Sequence, residues 1–380
     1  MIHWKETADI AGRLSDLQAQ GREAALATVV HISGSAYRRP GAKLLIEETG
    51  GVIGSVSGGC LEADVRAAAA DVLSVGRPSL RHYDTGEEDA AWGLGLGCNG
   101  EVDILVQPAT QGPFAALTGP LQRLLAGDVP VALLTVIADG PGMGAVMAME
   151  CPDGSDNASP GASPGGSVFG SLGSADLDRR AADRARQLAQ GGRSAVQIIG
   201  GRKVFAEILR PAPHLVVCGA GADARPLVTY AAAAGFRVAV FDHREGFLAA
   251  GWFPDAKQRV VARPEDESIA LPEPAQSLGV VKMHSLAHDR EWVRRLLAAG
   301  YPYIGVLGPK RRTASILRDI GGNSWNELPA AERVFGPVGL DLGADGPEQV
   351  AISIVAELLA VVAKRDARHL SERHDAIHAG

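Results

Sequence analysis

Cysteine is scarce: Cys60, Cys98, Cys151 and Cys218 are the only four thiols in 380 residues. No C-x-x-C pair occurs, and four scattered thiols make neither a disulfide framework nor a four-ligand zinc site. They are expected to stay reduced, as in a cytoplasmic protein. No apolar run approaches the roughly 20 residues that a membrane span needs. The first residues, MIHWKETADIAGRL, carry charge where a secretory signal would be apolar. Excess positive charge is missing too. With 37 Lys and Arg against 44 Asp and Glu, the formal net charge is -7. Neutralising nucleic-acid phosphates requires a basic face, so nucleic acid is not the expected partner. What remains is a globular chain, 46% hydrophobic and 21% charged, too long for one ordinary core.

The pattern of segments predicts an α/β protein with N-terminal duplicated α/β lobes followed by a C-terminal Rossmann-like, doubly wound parallel-sheet domain. An amphipathic helix over 5–20 precedes strands at 24–30 and 42–48. A third strand follows, then a helix over 60–75, strand PSLRHYD, a glycine-rich loop holding Cys98, and strand EVDILVQP. The segment from VPVALLTVI to SAVQI repeats this order weakly, so residues 1–200 are read as two lobes, about 1–112 and 113–200. The second copy has nothing like SAYRRP and has Ser-Ala in place of Gly-Cys. Residues kept in one copy only are less expected to be scaffold, which points to Arg38, Arg39 and Cys60. From 201 to 380, strands alternate with helices, ending in an apolar helix over 347–364 that fits either its own sheet or a second copy in a homodimer.

Gly219-Ala220-Gly221-Ala222-Asp223-Ala224 has the G-x-G-x-x-A form that follows a strand and opens a helix. There, glycines let the backbone approach a pyrophosphate. Asp242, at the end of strand RVAVFD, sits where an acid takes a ribose hydroxyl. Asp223 falls in the first turn, where its carboxylate would crowd a phosphate. Gly308-Pro309-Lys310-Arg311-Arg312 puts three cations at a helix start, against the macrodipole, and an anion lodged there would relieve the conflict. His284 is expected at the end of another strand on the same rim. In the first lobe, Arg38 and Arg39 suit planar oxyanions. Cys60 sits where a loop becomes a helix, a position that favours thiolate, while Glu62 opposes that charge or caps the helix.

The stretches GSAYRRPGAKLLI, GSVSGGCLE and GLGLGCNGEVDILV resemble the N-terminal domain of the XdhC/CoxI family. VVCGAGADARPL, YIGVLGPKRR and GPVGLDLGADGPEQVAISIVAELLA resemble its Rossmann domain. The resemblance runs in order over nearly the whole chain. It departs at Gly308-Pro309, Met283-His284 and Cys98-Asn99-Gly100, where the family often has Gly-Ser, Thr-His and Cys-Gly-Gly. The resemblance implies an accessory factor of a molybdenum hydroxylase such as xanthine dehydrogenase. Such a factor binds molybdenum cofactor, a pterin with or without a cytosine dinucleotide, and assists its sulfuration and insertion into the apo-enzyme. A cysteine desulfurase is the implied sulfur source. The implied cofactor-binding residues are Gly34, Ser35, Arg38, Arg39 and Gly41; Ser57, Gly58, Gly59, Cys60 and Glu62; Cys98; and Gly219, Gly221, Asp242, Arg244, His284, Lys310, Arg311 and Arg312. Cys60 and Cys98 are expected to face the Rossmann rim. The residues alone leave open an NAD(P)-dependent oxidoreductase with His284 as its acid or base, and a structural subunit with a vestigial nucleotide fold.

Overall fold

The computed structural model describes residues 2–34, 36–84, 100–152, 166–322 and 329–372. The chain divides into two compact units, Met1–Pro211 and Ala212–Gly380.

The first unit is one plan drawn twice. The first lobe runs α1 (Ile2–Ala19), β1 (Ala24–Gly34), β2 (Lys43–Glu47), β3 (Val52–Gly54), α2 (Glu62–Val75), β4 (Ser79–Asp84) and β5 (Gly100–Pro108). The second runs α3 (Gly112–Ala126), β6 (Val131–Val136), β7 (Val146–Glu150), β8 (Val168–Gly170), α4 (Ala175–Gly191), β9 (Ala195–Ile199) and β10 (Arg202–Leu209). The sheets share one strand order, β3-β2-β1-β5-β4 and β8-β7-β6-β10-β9, with antiparallel pairing throughout. β10 is internal to the second sheet, so that lobe extends past the expected limit at 200.

Registers fix the correspondence. Ala24 faces Glu47 and Val131 faces Glu150; Val29 exchanges backbone bonds with Gly41 and Ala42, as Val136 does with Gly144 and Ala145. One face of each sheet is packed against a helix, α2 in the first lobe and α4 in the second. Val30 and Leu105 meet their counterparts Ile137 and Phe205 in a shared buried cluster that joins the lobes. Such alternation of buried faces is what β-branched and leucine-rich central strands require.

The second unit contains β11 (His214–Cys218), α5 (Arg225–Ala233), β12 (Arg237–Asp242), β13 (Gln258–Val261), β14 (Ser277–Val281), α6 (Leu286–Ala299), β15 (Ile304–Val306), α7 (Lys310–Gly321), β16 (Val334–Phe335) and α8 (Pro347–Ala363). Its parallel sheet has the order β13-β12-β11-β14-β15-β16. The strand order reverses between β11 and β14, and a crevice therefore opens beyond Cys218 and Val281.

Candidate functional site

Comparison of the lobes shows what is special in the first. From Val136 to Gly144 the second lobe turns directly; from Val29 to Gly41 the first is four residues longer. β1 runs on to Gly34, paired with Gly100 beyond a bulge at Val29/His31, whereas β6 stops at Val136. The extra length carries Tyr37, Arg38 and Arg39. Tyr37 is 70% exposed. Arg38 is tied down: one guanidinium nitrogen bonds both carboxylate oxygens of Glu6 on α1, at 2.8 and 2.7 Å. Arg39 is exposed. Gly34 and Gly41 hold left-handed φ values of 75° and 99°. Ser35 lies outside the described residues.

The loop after β3 shows a second asymmetry. In the register set by Gly54 and Gly170, Glu62 stands opposite Asp178. Ser55 donates to Glu62 at 3.0 Å, as Ser171 donates to Asp178 at 2.7 Å. Glu62 also accepts the Ser57 amide (3.1 Å) and the Ser57 hydroxyl. Burial pushes its carboxyl up, but these bonds outweigh burial and hold it below the ordinary range. A carboxylate that braces this loop is therefore present in both lobes, Glu62 in the first and Asp178 in the second. The difference lies between the partners. In the second lobe, Ser174 caps Leu177 and α4 is already helical from Ala175. In the first, Gly58, Gly59, Cys60 and Leu61 stay unwound and α2 begins only at Glu62. Ser57 Oγ accepts the Gly59 and Leu61 amides at 3.2 and 3.1 Å and holds the loop open. Cys60, expected at the start of a helix over 60–75, stands instead in that unwound turn, opposite Asp176. It is the partly exposed one of the three described cysteines.

The two loops adjoin. A Cβ at Gly58 would sit 3.6 Å from the Tyr37 ring, and Cys60 packs on the cluster that also takes Ile32 and Ala36. Tyr37, Gly58 and Cys60 thus lie close together. Cys98 lies outside the described residues.

Beneath it is a charged pair with a sequence separation of 164 residues. Lys43 on β2 bonds Glu207 on β10 and the Gly41 carbonyl (2.9 Å), with both side chains buried. Their counterparts in the other arm are Val146 and Gln107. Gly41 rests on this pair, since a Cβ there would meet Glu207 at 2.8 Å and His3 Nδ1 at 2.9 Å. Burial, and then Lys43 and Arg38, depress the His3 imidazole from 6.5 to about 3. The unfolded chain therefore binds a proton below pH 6.5 that the folded chain refuses until about pH 3. This contribution is complete above 6.5 and is lost as pH falls. Taking the unit from pH 7 to 5 is expected to cost about 2 kcal/mol. Urea unfolding of wild type and His3→Gln checks this: the variant should lose most of that slope, and an unchanged slope would assign it to other groups.

In the second unit the crevice is already furnished. Gly219, at φ 122°, lies so close to β14's exit that a Cβ would sit 2.5 Å from the Lys282 carbonyl. Asp223 Oδ1 would be 2.6 Å from a Cβ on Gly221. The carboxylate therefore lies over the glycine meant to approach a phosphate. It pairs with Lys282 at 3.0 Å and His284 Nε2 at 3.1 Å. Burial pushes the Asp223 carboxyl up, yet Lys282 and His284 outweigh burial and hold it low. His284 follows β14 by three residues rather than ending it, and its φ of 57° is left-handed, a strain that side-chain pairing must sustain.

Asp242 is fully buried and accepts the Ala220 amide at 2.8 Å. Arg244 closes on it with Nε at 2.9 Å and a terminal nitrogen at 2.8 Å, while the Arg244 amide donates at 2.9 Å. At the 308–312 turn, Arg312 bonds buried Asp289, which also accepts the Met283 amide at 2.9 Å. Arg312 thus has a carboxylate of the chain itself as its partner, while Lys310 and Arg311 are exposed.

Residues 215–358 match the model of the XdhC Rossmann domain, and residues 17–84 that of the XdhC and CoxI family. The chain is 30% identical, over 91% of its length and 95% of the relative's, to a probable xanthine dehydrogenase subunit of Bacillus subtilis. This chain belongs to the XdhC/CoxI family. The match over 17–84 contains the Tyr37–Arg39 insertion and the Cys60 turn, and that over 215–358 contains the whole crevice. The chain is also similar to the molybdenum cofactor insertion chaperone PaoD of Escherichia coli, 36% identical over 27% of this chain and 32% of PaoD. Among solved structures, a xanthine dehydrogenase from Bacillus halodurans superimposes with a TM-score of 0.72 at 30% identity, covering 94% of this chain and 96% of that one.

Proposed function

We propose that this protein is a maturation factor rather than an enzyme. In this reading it holds molybdenum cofactor as cargo, assists its sulfuration, and delivers it to an apo molybdenum hydroxylase of the xanthine dehydrogenase type. The observation that carries this is the lobe asymmetry: an exposed aromatic, bare glycine backbone and a thiol lie together, with Arg39 in the same inserted loop, where the sister lobe has only helix and a short turn. A pterin offers a planar face for Tyr37, its phosphate an oxyanion for Arg39, and its molybdenum–sulfur centre a soft partner for Cys60. Among the described residues no cluster of three or more His, Cys, Asp or Glu could hold a metal, so the cofactor's organic part would supply most of the contact. A cysteine desulfurase is the proposed sulfur donor, the cytosine dinucleotide a candidate cofactor form, and the cytoplasm the proposed compartment. The outward face of α8, with Ile352, Leu359 and Val362 exposed, is where a second copy would pack.

Anaerobic incubation with cofactor released from a hydroxylase, followed by removal of the free fraction, tests this. Wild type should retain near-equimolar molybdenum and pterin. Cys60→Ala and Arg39→Ala should each retain at least tenfold less, about 1.4 kcal/mol or more of lost binding. Retention equal to wild type in both variants would sink the reading. NADH binding with turnover of a carbonyl substrate, and no cofactor retained, would favour an oxidoreductase instead.

A further inference from the structure

On the way into α2 and α4 the two lobes carry the same pair of residues in opposite order. With Gly54 opposite Gly170, Ser57-Gly58 stands opposite Gly173-Ser174. In the second lobe Gly173 takes a left-handed turn at φ 115°. Ser174 directly after it caps α4, its hydroxyl accepting the Leu177 amide at 3.3 Å and its carbonyl the Asp178 amide at 2.9 Å. In the first lobe a serine occupies the turning position, where a left-handed φ favours glycine. The left-handed turn falls two residues later, on Gly59 at φ 110°. A Cβ on Gly59 would meet nothing within 4 Å, so the backbone angle and not crowding requires glycine there.

Ser57 is only 6% exposed. Its hydroxyl donates to Glu62 and accepts the Gly59 and Leu61 amides at 3.2 and 3.1 Å. Those amides would lie in the first turn of a helix begun at Gly59, as α4 begins at the equivalent Ala175; instead α2 begins at Glu62. The later start changes the surroundings of residue 60. Its counterpart Asp176 is exposed on the first turn of α4 and pairs with Arg179 and Arg180. Cys60 lies off the helix and packs on the core cluster of the first lobe, as Ile32 and Ala36 do, with part of its surface exposed.

We infer that Ser57 is a positioning residue for the Cys60 thiol: standing before the glycine rather than after it, Ser57 keeps Cys60 out of α2 and next to the Tyr37 loop. What the thiol does there rests on the cofactor reading proposed above. Ser57→Gly with Gly58→Ser gives the first lobe the order of the second. α2 should then begin at Gly59, and Cys60 should move to the exposed place that Asp176 has. Iodoacetamide labelling of the full chain at one pH, read on the Cys60 peptide by mass spectrometry, should become about threefold faster or more. Retained molybdenum and pterin should fall by about threefold or more, since a displaced contact group no longer meets its ligand. A thiol that is easier to reach yet holds less cofactor separates displacement from loss of the thiol. Ser57→Ala, which removes the hydroxyl alone, should move both readouts in the same directions, and Ser57→Thr should restore most of what Ser57→Ala loses. Melting temperatures near wild type identify the folded variants, and the Ala and Thr variants decide if the exchanged pair does not fold. The inference is overturned if folded variants without the Ser57 hydroxyl label at the wild-type rate, or if they label faster but retain cofactor as wild type does. If wild type retains no cofactor, the proposed function fails, and the labelling rates alone decide whether Ser57 sets the place of Cys60.

Discussion

Lys43→Met is expected to destabilise the Met1–Pro211 unit by about 3–5 kcal/mol, because it strands the Glu207 carboxylate where burial already works against its charge. Glu207→Gln should cost a similar amount by leaving the Lys43 ammonium uncompensated. The other arm of the repeat supplies the control. At the equivalent positions nature has placed Val146 and Gln107, both buried, in the same scaffold. The double variant Lys43→Val with Glu207→Gln makes the two arms alike. It should recover most of the loss, since an apolar or neutral replacement of a complete buried pair is often near neutral. Chemical denaturation of the two single variants and the double variant measures the coupling directly. A double variant no more stable than either single one would show that the pair's role is something other than mutual compensation. The pair should still matter for function: Lys43 also holds the Gly41 carbonyl, so a stable double variant is expected to lose positioning of the Arg38–Arg39 loop and, with it, cofactor retention.

This pair also marks the limit of what could be read from sequence. Lys43 lies inside the quoted motif GAKLLI, and Glu207 inside the apolar run KVFAEIL, yet nothing local says that a lysine and a glutamate 164 residues apart share a bond. Local signals fared better. The glycine fingerprint, the parallel sheet and the position of Asp242 at a strand end were legible because each is written in a few neighbouring residues. So was the crowding by Asp223, a consequence of its offset from Gly221. The repeat was visible in element order, but the match of Gly-Cys with Ser-Ala was one residue out. Hydrogen bonds from Ser55 and Ser171 fix the register, and only they reveal that Glu62 has a counterpart in Asp178. Lys282, Tyr37 and His3 were missed for a common reason. A lysine near a strand end, an aromatic in a loop and a histidine near the N-terminus become informative only when burial is known. The three cations of the 308–312 turn were read as wanting an external anion, because Asp289 is far away in sequence and meets Arg312 only in the fold.

Arg244→Ala is expected to convert the closed half of the crevice into an open one. Asp242 has the strand-end position of a ribose-binding acid, but the Arg244 fork and two amides use its lone pairs. Removing the guanidinium leaves one lone pair on each oxygen free to accept the diol of a ribose, so adenosine monophosphate or NAD+ should bind at least tenfold more tightly than to wild type. The same change has a signature in acid. Burial pushes the Asp242 carboxyl up, but Arg244 and the Ala220 amide outweigh burial and hold it below its ordinary 3.8. In wild type this contribution is present above about pH 3.8 and is lost as pH falls further. Without Arg244 less of the desolvation is offset and the folded carboxyl rises toward its ordinary range, so this acid loss should shrink. Asp242→Asn should separate the two effects: its NH2 group sets a donor against either the Ala220 or the Arg244 amide and weakens the Arg244 fork, and it should cost about 3 kcal/mol with no gain in nucleotide binding. If Arg244→Ala instead weakens nucleotide binding, the guanidinium is a ligand-binding group that rests on Asp242 until an anion arrives. The crevice would then be built to take a phosphate after all. The direction of one affinity change therefore decides whether the family's Rossmann unit here is closed to dinucleotides by its own side chains or merely latched.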